Sequence, residues 1–98
     1  MKYIKVTWRH NLPDEPVTLY SELGEDGYEV RKVEVFRDGT MTYADSENAT
    51  GDTWLAEAPV PPIEEIAAQD EFTPELIARE EFERVWEQAH QGPAAGTD

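Results

Sequence analysis

The segment Tyr28-Glu29-Val30-Arg31-Lys32-Val33-Glu34-Val35-Phe36-Arg37-Asp38-Gly39-Thr40-Met41-Thr42-Tyr43-Ala44 decides how the chain folds. Two stretches that alternate apolar and polar residues flank Asp38-Gly39. A period of two marks a half-buried strand. Asp-Gly between two such stretches predicts a hairpin, because a type I′ turn needs positive φ at both central residues. Tyr28 and Val30 lie on one parity, Val33 and Val35 on the other. Either a bulge near Arg31-Lys32 shifts the phase, or the strand is central with both faces partly covered.

Two more strands precede this hairpin. Residues 2–9 set Ile4, Val6 and Trp8 on one face and Lys5, Thr7 and Arg9 on the other. Residues 17–23 alternate again, with Val17, Leu19 and Leu23 in phase. The connector Asn11-Leu12-Pro13-Asp14-Glu15-Pro16 and the turn Gly24-Glu25-Asp26-Gly27 separate them. Downstream, residues 45–52 read as a polar loop and residues 53–58 as a fifth strand completing a meander.

Pro59-Val60-Pro61-Pro62 then marks a change of regime. Pro62 suits the first turn of a helix, where its missing donor costs nothing, and residues 63–68 follow as a short helix. Residues 69–77 read as irregular, with Phe72, Leu76 and Ile77 plugging the core. Residues 79–90 carry Phe82, Val85, Trp86 and Ala89 at helical spacing, a single apolar stripe. That stripe is expected to dock on the Ile4, Val6, Trp8 row. Gly92-Pro93 stops the helix, and residues 91–98 are expected to be disordered. The fold class is therefore α+β: one domain over residues 1–90, an antiparallel four- to five-stranded meander with C-terminal helices packed on one face.

Composition narrows the function classes. The 98 residues carry 8 Lys+Arg against 22 Asp+Glu, a formal charge of −14. Residues 1–40 hold 6 basic and 8 acidic side chains (−2), leaving 2 and 14 (−12) for residues 41–98. Binding to a nucleic acid backbone or an anionic membrane needs a cationic face and is not expected. With no cysteine there is neither disulfide nor thiolate metal site. No apolar run approaches the roughly 20 residues of a bilayer span, and the start does not read as a signal peptide. A cytoplasmic location is the expectation.

Few residues suggest chemistry. His10 and His90 are far apart, and no serine sits in a Gly-x-Ser-x-Gly elbow. Glu64/Glu65 and Glu80/Glu83 could share a cation, and Asp45-Ser46-Glu47-Asn48 has a loose likeness to a calcium loop, but the full ligand spacing is missing. No cofactor, metal or catalytic residue is expected. Glu80, Glu83 and Glu87 fall on one helical stripe with Glu75 nearby, an array suited to a basic protein surface. Tyr20 and Tyr43 are expected on the uncovered side of the sheet and, with Trp54, form a contact patch. Trp8 and Trp86 lie on apolar rows and are expected in the core.

The blocks Met1-Lys2-Tyr3-Ile4-Lys5-Val6-Thr7-Trp8-Arg9-His10, Pro16-Val17-Thr18-Leu19-Tyr20-Ser21-Glu22-Leu23 and residues 28–39 resemble a family of small acidic bacterial proteins, often actinobacterial, with no assigned function. Tyr43-Ala44-Asp45, Pro59-Val60-Pro61-Pro62-Ile63-Glu64-Glu65-Ile66 and Phe82-Glu83-Arg84-Val85-Trp86 match its later blocks, so the likeness covers residues 1–89. The resemblance implies a self-standing α+β domain and, by analogy, a role near toxin–immunity loci; it transfers no site residue.

The leading expectation is a non-enzymatic protein-binding module, immunity- or inhibitor-like, with a basic protein as partner. The alternatives are a small ligand-binding domain or enzyme around Trp54, Tyr43 and His10, and a structural module that dimerises through a strand edge.

Overall fold

The computed structural model describes residues 1–50 and 53–91. Five strands, β1 (Lys2–Trp8), β2 (Thr18–Leu23), β3 (Glu29–Val35), β4 (Met41–Ala44) and β5 (Phe72–Leu76), form one antiparallel sheet in the order β4-β3-β2-β1-β5. Two helices complete the α+β fold, α1 (Ile63–Ala67) and α2 (Arg79–Gln91). The first four strands are the expected meander. The fifth is not drawn from residues 53–58, which have no strand structure. It comes from the region expected to be irregular and pairs with β1 on the far edge. Gln91 is the last described residue of α2, and the expected stop at Gly92-Pro93 and the rest of the expected tail lie outside the described residues.

Both tight hairpins use the same turn. Gly39 N–H donates to Phe36 O (2.9 Å) and Phe36 N–H to Thr40 O (2.8 Å). Only Gly39 there has positive φ (93°), so the turn is the three-residue form closed by a left-handed glycine, not type I′. Gly27 (φ 86°) repeats the pattern: Gly27 N–H reaches Gly24 O and Gly24 N–H reaches Tyr28 O, both at 3.0 Å. In each turn the aspartate before the glycine accepts a backbone N–H two residues on, Asp26 from Tyr28 and Asp38 from Thr40. That bond from Thr40 holds the Asp38 carboxyl below its ordinary pKa.

The expected phase shift in β3 is real and sits slightly earlier. Glu22 faces Arg31 and Leu23 faces Glu29, so Val30 is the extra residue. The bulge puts Arg31, Val33 and Val35 in register with Glu22, Tyr20 and Thr18. These residues share a face with Tyr3 and Lys5 of β1, and with Met41 and Tyr43 of β4.

Each face of the sheet has its own helix. Ile4, Val6 and Leu23 pack with Ile66 and Ile63 of α1, together with Leu19, Val60 and Phe72. On the opposite face Val33 packs with Val85 and Ala89 of α2, flanked by Tyr20, Val35, Met41, Tyr43 and Trp86. The helices therefore do not share one face, and α2 does not dock on the Ile4, Val6, Trp8 row. The physical reason lies in the Tyr3, Lys5, Tyr20 row. Tyr3 OH is bonded to Glu22 and Lys5 Nζ lies over the Tyr20 ring, so the rings and stems of this row can serve as core. Tyr3 is 9% exposed, and its ring centroid lies 5.5 Å from that of Phe82, which is fully buried.

Residues 53–60 cross the α1 face as a segment tied down by side chains. Thr53 Oγ1 donates to Glu34 (2.8 Å), Ala56 N–H donates to Glu29 (2.8 Å), and Lys32 Nζ donates to Trp54 O (3.2 Å). Val60 N–H closes the segment onto Gly27 O (2.9 Å). The mixed charges of β3 thus split between faces, with Glu29, Lys32 and Glu34 beneath this segment and Arg31 beneath α2.

Both sheet edges are protected against pairing. Pro74 interrupts the donors of β5, the usual place for a strand proline. Residues 45–50 fold back on β4, where Thr50 N–H donates to Tyr43 O (2.9 Å) and Tyr43 N–H to Thr50 Oγ1 (3.0 Å).

Candidate functional site

The terminal helix is held down by a cation. Arg31 Nε and Nη2 donate to the two carboxylate oxygens of Glu22 (2.5 and 3.1 Å), while Nη1 and Nη2 donate to Glu83 (3.1 and 2.6 Å). Its guanidinium carbon sits 5.0 Å from the Phe82 ring centroid and 5.1 Å from that of Trp86. Tyr3 OH donates to the remaining side of Glu22 (2.9 Å). One planar fork thus joins β2, β3 and α2, which is what guanidinium geometry permits and an ammonium does not.

These bonds set the charges. The Arg31 guanidinium holds Glu22 below the ordinary carboxylate pKa, against the opposing pull of burial, and Tyr3 adds to the same effect. Glu83 is lowered chiefly by Arg31 as well. Arg31 is raised by its bonds to both glutamates, and Tyr3 by burial and then by its bond to Glu22.

A carboxylate whose pKa falls on folding contributes stability above its unfolded pKa, and that contribution disappears as the pH drops through the folded value. Thermal melts should therefore be flat above about pH 5 and decline below about pH 4, near the unfolded glutamate value. Glu83→Gln should make this acid limb shallower while costing only about 0–1 kcal/mol at neutral pH, because its side chain is 40% exposed.

The carboxylates expected as one array separate. Glu80, Glu87 and Glu75 are exposed, but Glu83 belongs to the Arg31 clamp and also meets Arg79 Nε at 3.7 Å. It is neutralised by the fold, which removes it from the free stripe. The aromatic patch separates too. Tyr43 stacks on His90 (3.9 Å between ring centroids) and lies edge-on to Trp86 (5.3 Å), beneath α2. Tyr20 packs against the same core and carries Lys5 Nζ at 5.8 Å. Trp54 lies over the other face and is 66% exposed. Tyr20 and Tyr43 are therefore half-buried core residues on the α2 side, and only Trp54 keeps the expected exposure. Trp8 and Trp86, expected in the core, are half-buried.

The cations are largely engaged within the chain. Lys32 meets Glu29 (3.2 Å), Arg9 bonds Thr73 Oγ1 and Asp70 O, and Arg37 bonds His10 O (2.8 Å). Among the described residues the ion pairs involve only Glu22, Glu29 and Glu83. Asp14, Glu15, Glu64, Glu65, Asp70, Glu71, Glu75, Glu80 and Glu87 all face outward. His10 serves the loop: Nδ1 accepts from Leu12 N–H (2.9 Å) and Nε2 donates to Pro16 O (2.8 Å). Asp45 likewise serves its own turn, accepting from Glu47 and Asn48 N–H.

Sequence reasoning missed a groove on the α1 face. It is an open groove of about 870 Å³, lined by Trp8, Phe36 and Trp54, by Asp14, Glu15, Glu34 and Asp38, and by Lys32 and Arg37. The signal was in the text: Trp8, Leu19, Lys32, Glu34 and Thr42 share one parity across β1–β4 once the bulge is placed. A smaller apolar cleft of about 370 Å³ lies at the other end of this face, between Ile4, Leu23 and residues 60–63. No helix among the described residues is long and apolar enough to cross a membrane.

The chain belongs to the family described as domain of unknown function DUF6881, which it matches over residues 2–91. No curated protein and no solved structure matches it.

Proposed function

We propose that this DUF6881 chain is a non-enzymatic protein-binding module, inhibitor- or immunity-like, that recognises a basic partner in the bacterial cytoplasm. One observation carries the reading: among the described residues the ion pairs use only Glu22, Glu29 and Glu83, which leaves the many exposed carboxylates without a cation in the chain. The Arg31, Lys32, Arg9 and Arg37 side chains are all bonded within the chain, whereas Glu75, Glu80 and Glu87 face solvent. Carrying −14 on 98 residues works against a compact state through self-repulsion. A partner of opposite charge relieves that repulsion and is drawn in quickly by it.

The test is affinity capture with the full chain at low salt, followed by titration of the captured complex with salt. The expected partner is basic. Its complex should weaken several-fold as ionic strength rises past about 0.1 M, where the screening length is about 10 Å. A neutral or acidic partner, or an affinity indifferent to salt, would overturn the proposal.

A further inference from the structure

We infer that the groove on the α1 face is the docking site, and that it takes an extended, arginine-bearing segment of a partner protein with a guanidinium laid on Trp54. The inference rests on the basic-partner reading above and gives it a location.

An indole buries roughly 150–250 Å² when it is covered, yet Trp54 is 66% exposed. Its backbone is not loose. The preceding Thr53 is 3% exposed, and its hydroxyl bonds both Glu34 and the Thr42 hydroxyl. The Trp54 carbonyl accepts from Lys32. A ring held in place at its backbone and left uncovered at its face is preorganised for contact, which lowers the ordering cost of binding.

The surroundings select the occupant. Asp14 and Glu15 line the groove, and among the described residues no cation pairs with either. Glu34 also lines it and has one oxygen committed to Thr53. The two groove cations, Lys32 and Arg37, are engaged by Trp54 O and His10 O. An exposed indole and unpaired carboxylates lining one groove complement arginine side chains, whose guanidinium stacks on indole and forks to carboxylate. A lysine ammonium satisfies only part of this arrangement.

The test uses the full chain and two short labelled peptides, one alternating arginine with serine and one with glutamate in place of arginine. Binding is read by fluorescence anisotropy at low salt. The arginine peptide should bind and the glutamate peptide should not. Trp54→Ala should weaken binding about tenfold or more, as an interface anchor does, with the melting curve unchanged. Asp14→Asn with Glu15→Gln should weaken it and flatten its salt dependence. Glu80→Gln with Glu87→Gln, on the opposite face, lowers the overall charge and should weaken it less than either change in the groove. If the Glu80/Glu87 pair weakens binding and Trp54→Ala does not, the groove assignment fails while the basic-partner reading survives. If the wild-type chain does not bind the arginine peptide, or binds the glutamate peptide equally, both fail.

Discussion

Replacing Arg31 with alanine should cost the fold about 3 kcal/mol, the low end of the penalty for removing one partner of a buried ion pair, since the Arg31 side chain is 20% exposed. Glu22 is left with its side chain only 8% exposed and its main cation gone. Glu83 loses its hold on the sheet, and the Phe82 and Trp86 rings lose the guanidinium packed on them. A domain of this size has about 5–15 kcal/mol in total, so the loss is about a fifth or more of its stability. Each kcal/mol moves the melting point by roughly 4–8 °C, which puts the drop at about 12 °C or more. Arg31→Lys should fall between, since an ammonium cannot fork to two carboxylates and stack at the same time. Arg31→Met combined with Glu22→Gln should recover part of the loss, because no buried charge is then left unpaired. Thermal and urea melts measure all four chains; an Arg31→Ala variant as stable as the parent would show that α2 is held by packing alone.

Phe82→Ala should be comparably damaging, at about 3–5 kcal/mol. Phe82 is fully buried, with ring centroids 5.5 Å from Tyr3 and 6.2 Å from Trp86. Truncation removes the contact between α2 and β1 and takes away one of the two rings against Arg31. Because the two side chains touch, the Arg31 and Phe82 losses should not add; a double-mutant cycle should return a coupling of roughly 0.5–3 kcal/mol. Phe82→Leu keeps much of the apolar volume and should retain most of the stability. A urea midpoint for Phe82→Ala equal to the parent's would contradict the packing described.

The pattern of strands was readable wherever one face differed from the other. Alternation located β1 to β4, Asp38-Gly39 located the hairpin, and the parity change in β3 allowed either a bulge or an inner strand covered on both faces; β3 is an inner strand with its bulge at Val30. Phe72-Thr73-Pro74-Glu75-Leu76 also alternates, but Pro74 argues against a strand in any position except an edge. Only the pairing with β1 reveals that it is an edge. Residues 53–58 misled in the opposite sense, since their backbone is satisfied by Glu29 and Lys32 side chains rather than by a neighbouring strand.

The site was less legible for a related reason. Glu83 sits 52 residues from Arg31, so its helical spacing placed it with Glu80 and Glu87 and gave no sign of its partner. Tyr3, Lys5 and Tyr20 read as a mixed row, and their suitability as a floor for α2 depends on Glu22 accepting from Tyr3. Exposure of Trp54 follows from its parity only after the strand assignment for its segment is withdrawn.

Part-buried Arg31 pairs with buried Glu22 and with Glu83, while most other carboxylates of the described residues stay outward and unpaired. The most direct measurement is a carbon-13 NMR titration of the Glu22 side-chain carboxyl in the full chain. The account predicts a midpoint below that of an unfolded glutamate, because the guanidinium outweighs burial. A midpoint at or above the unfolded value, with the chain still folded, would mean that Glu22 is buried without its cation and would contradict the clamp.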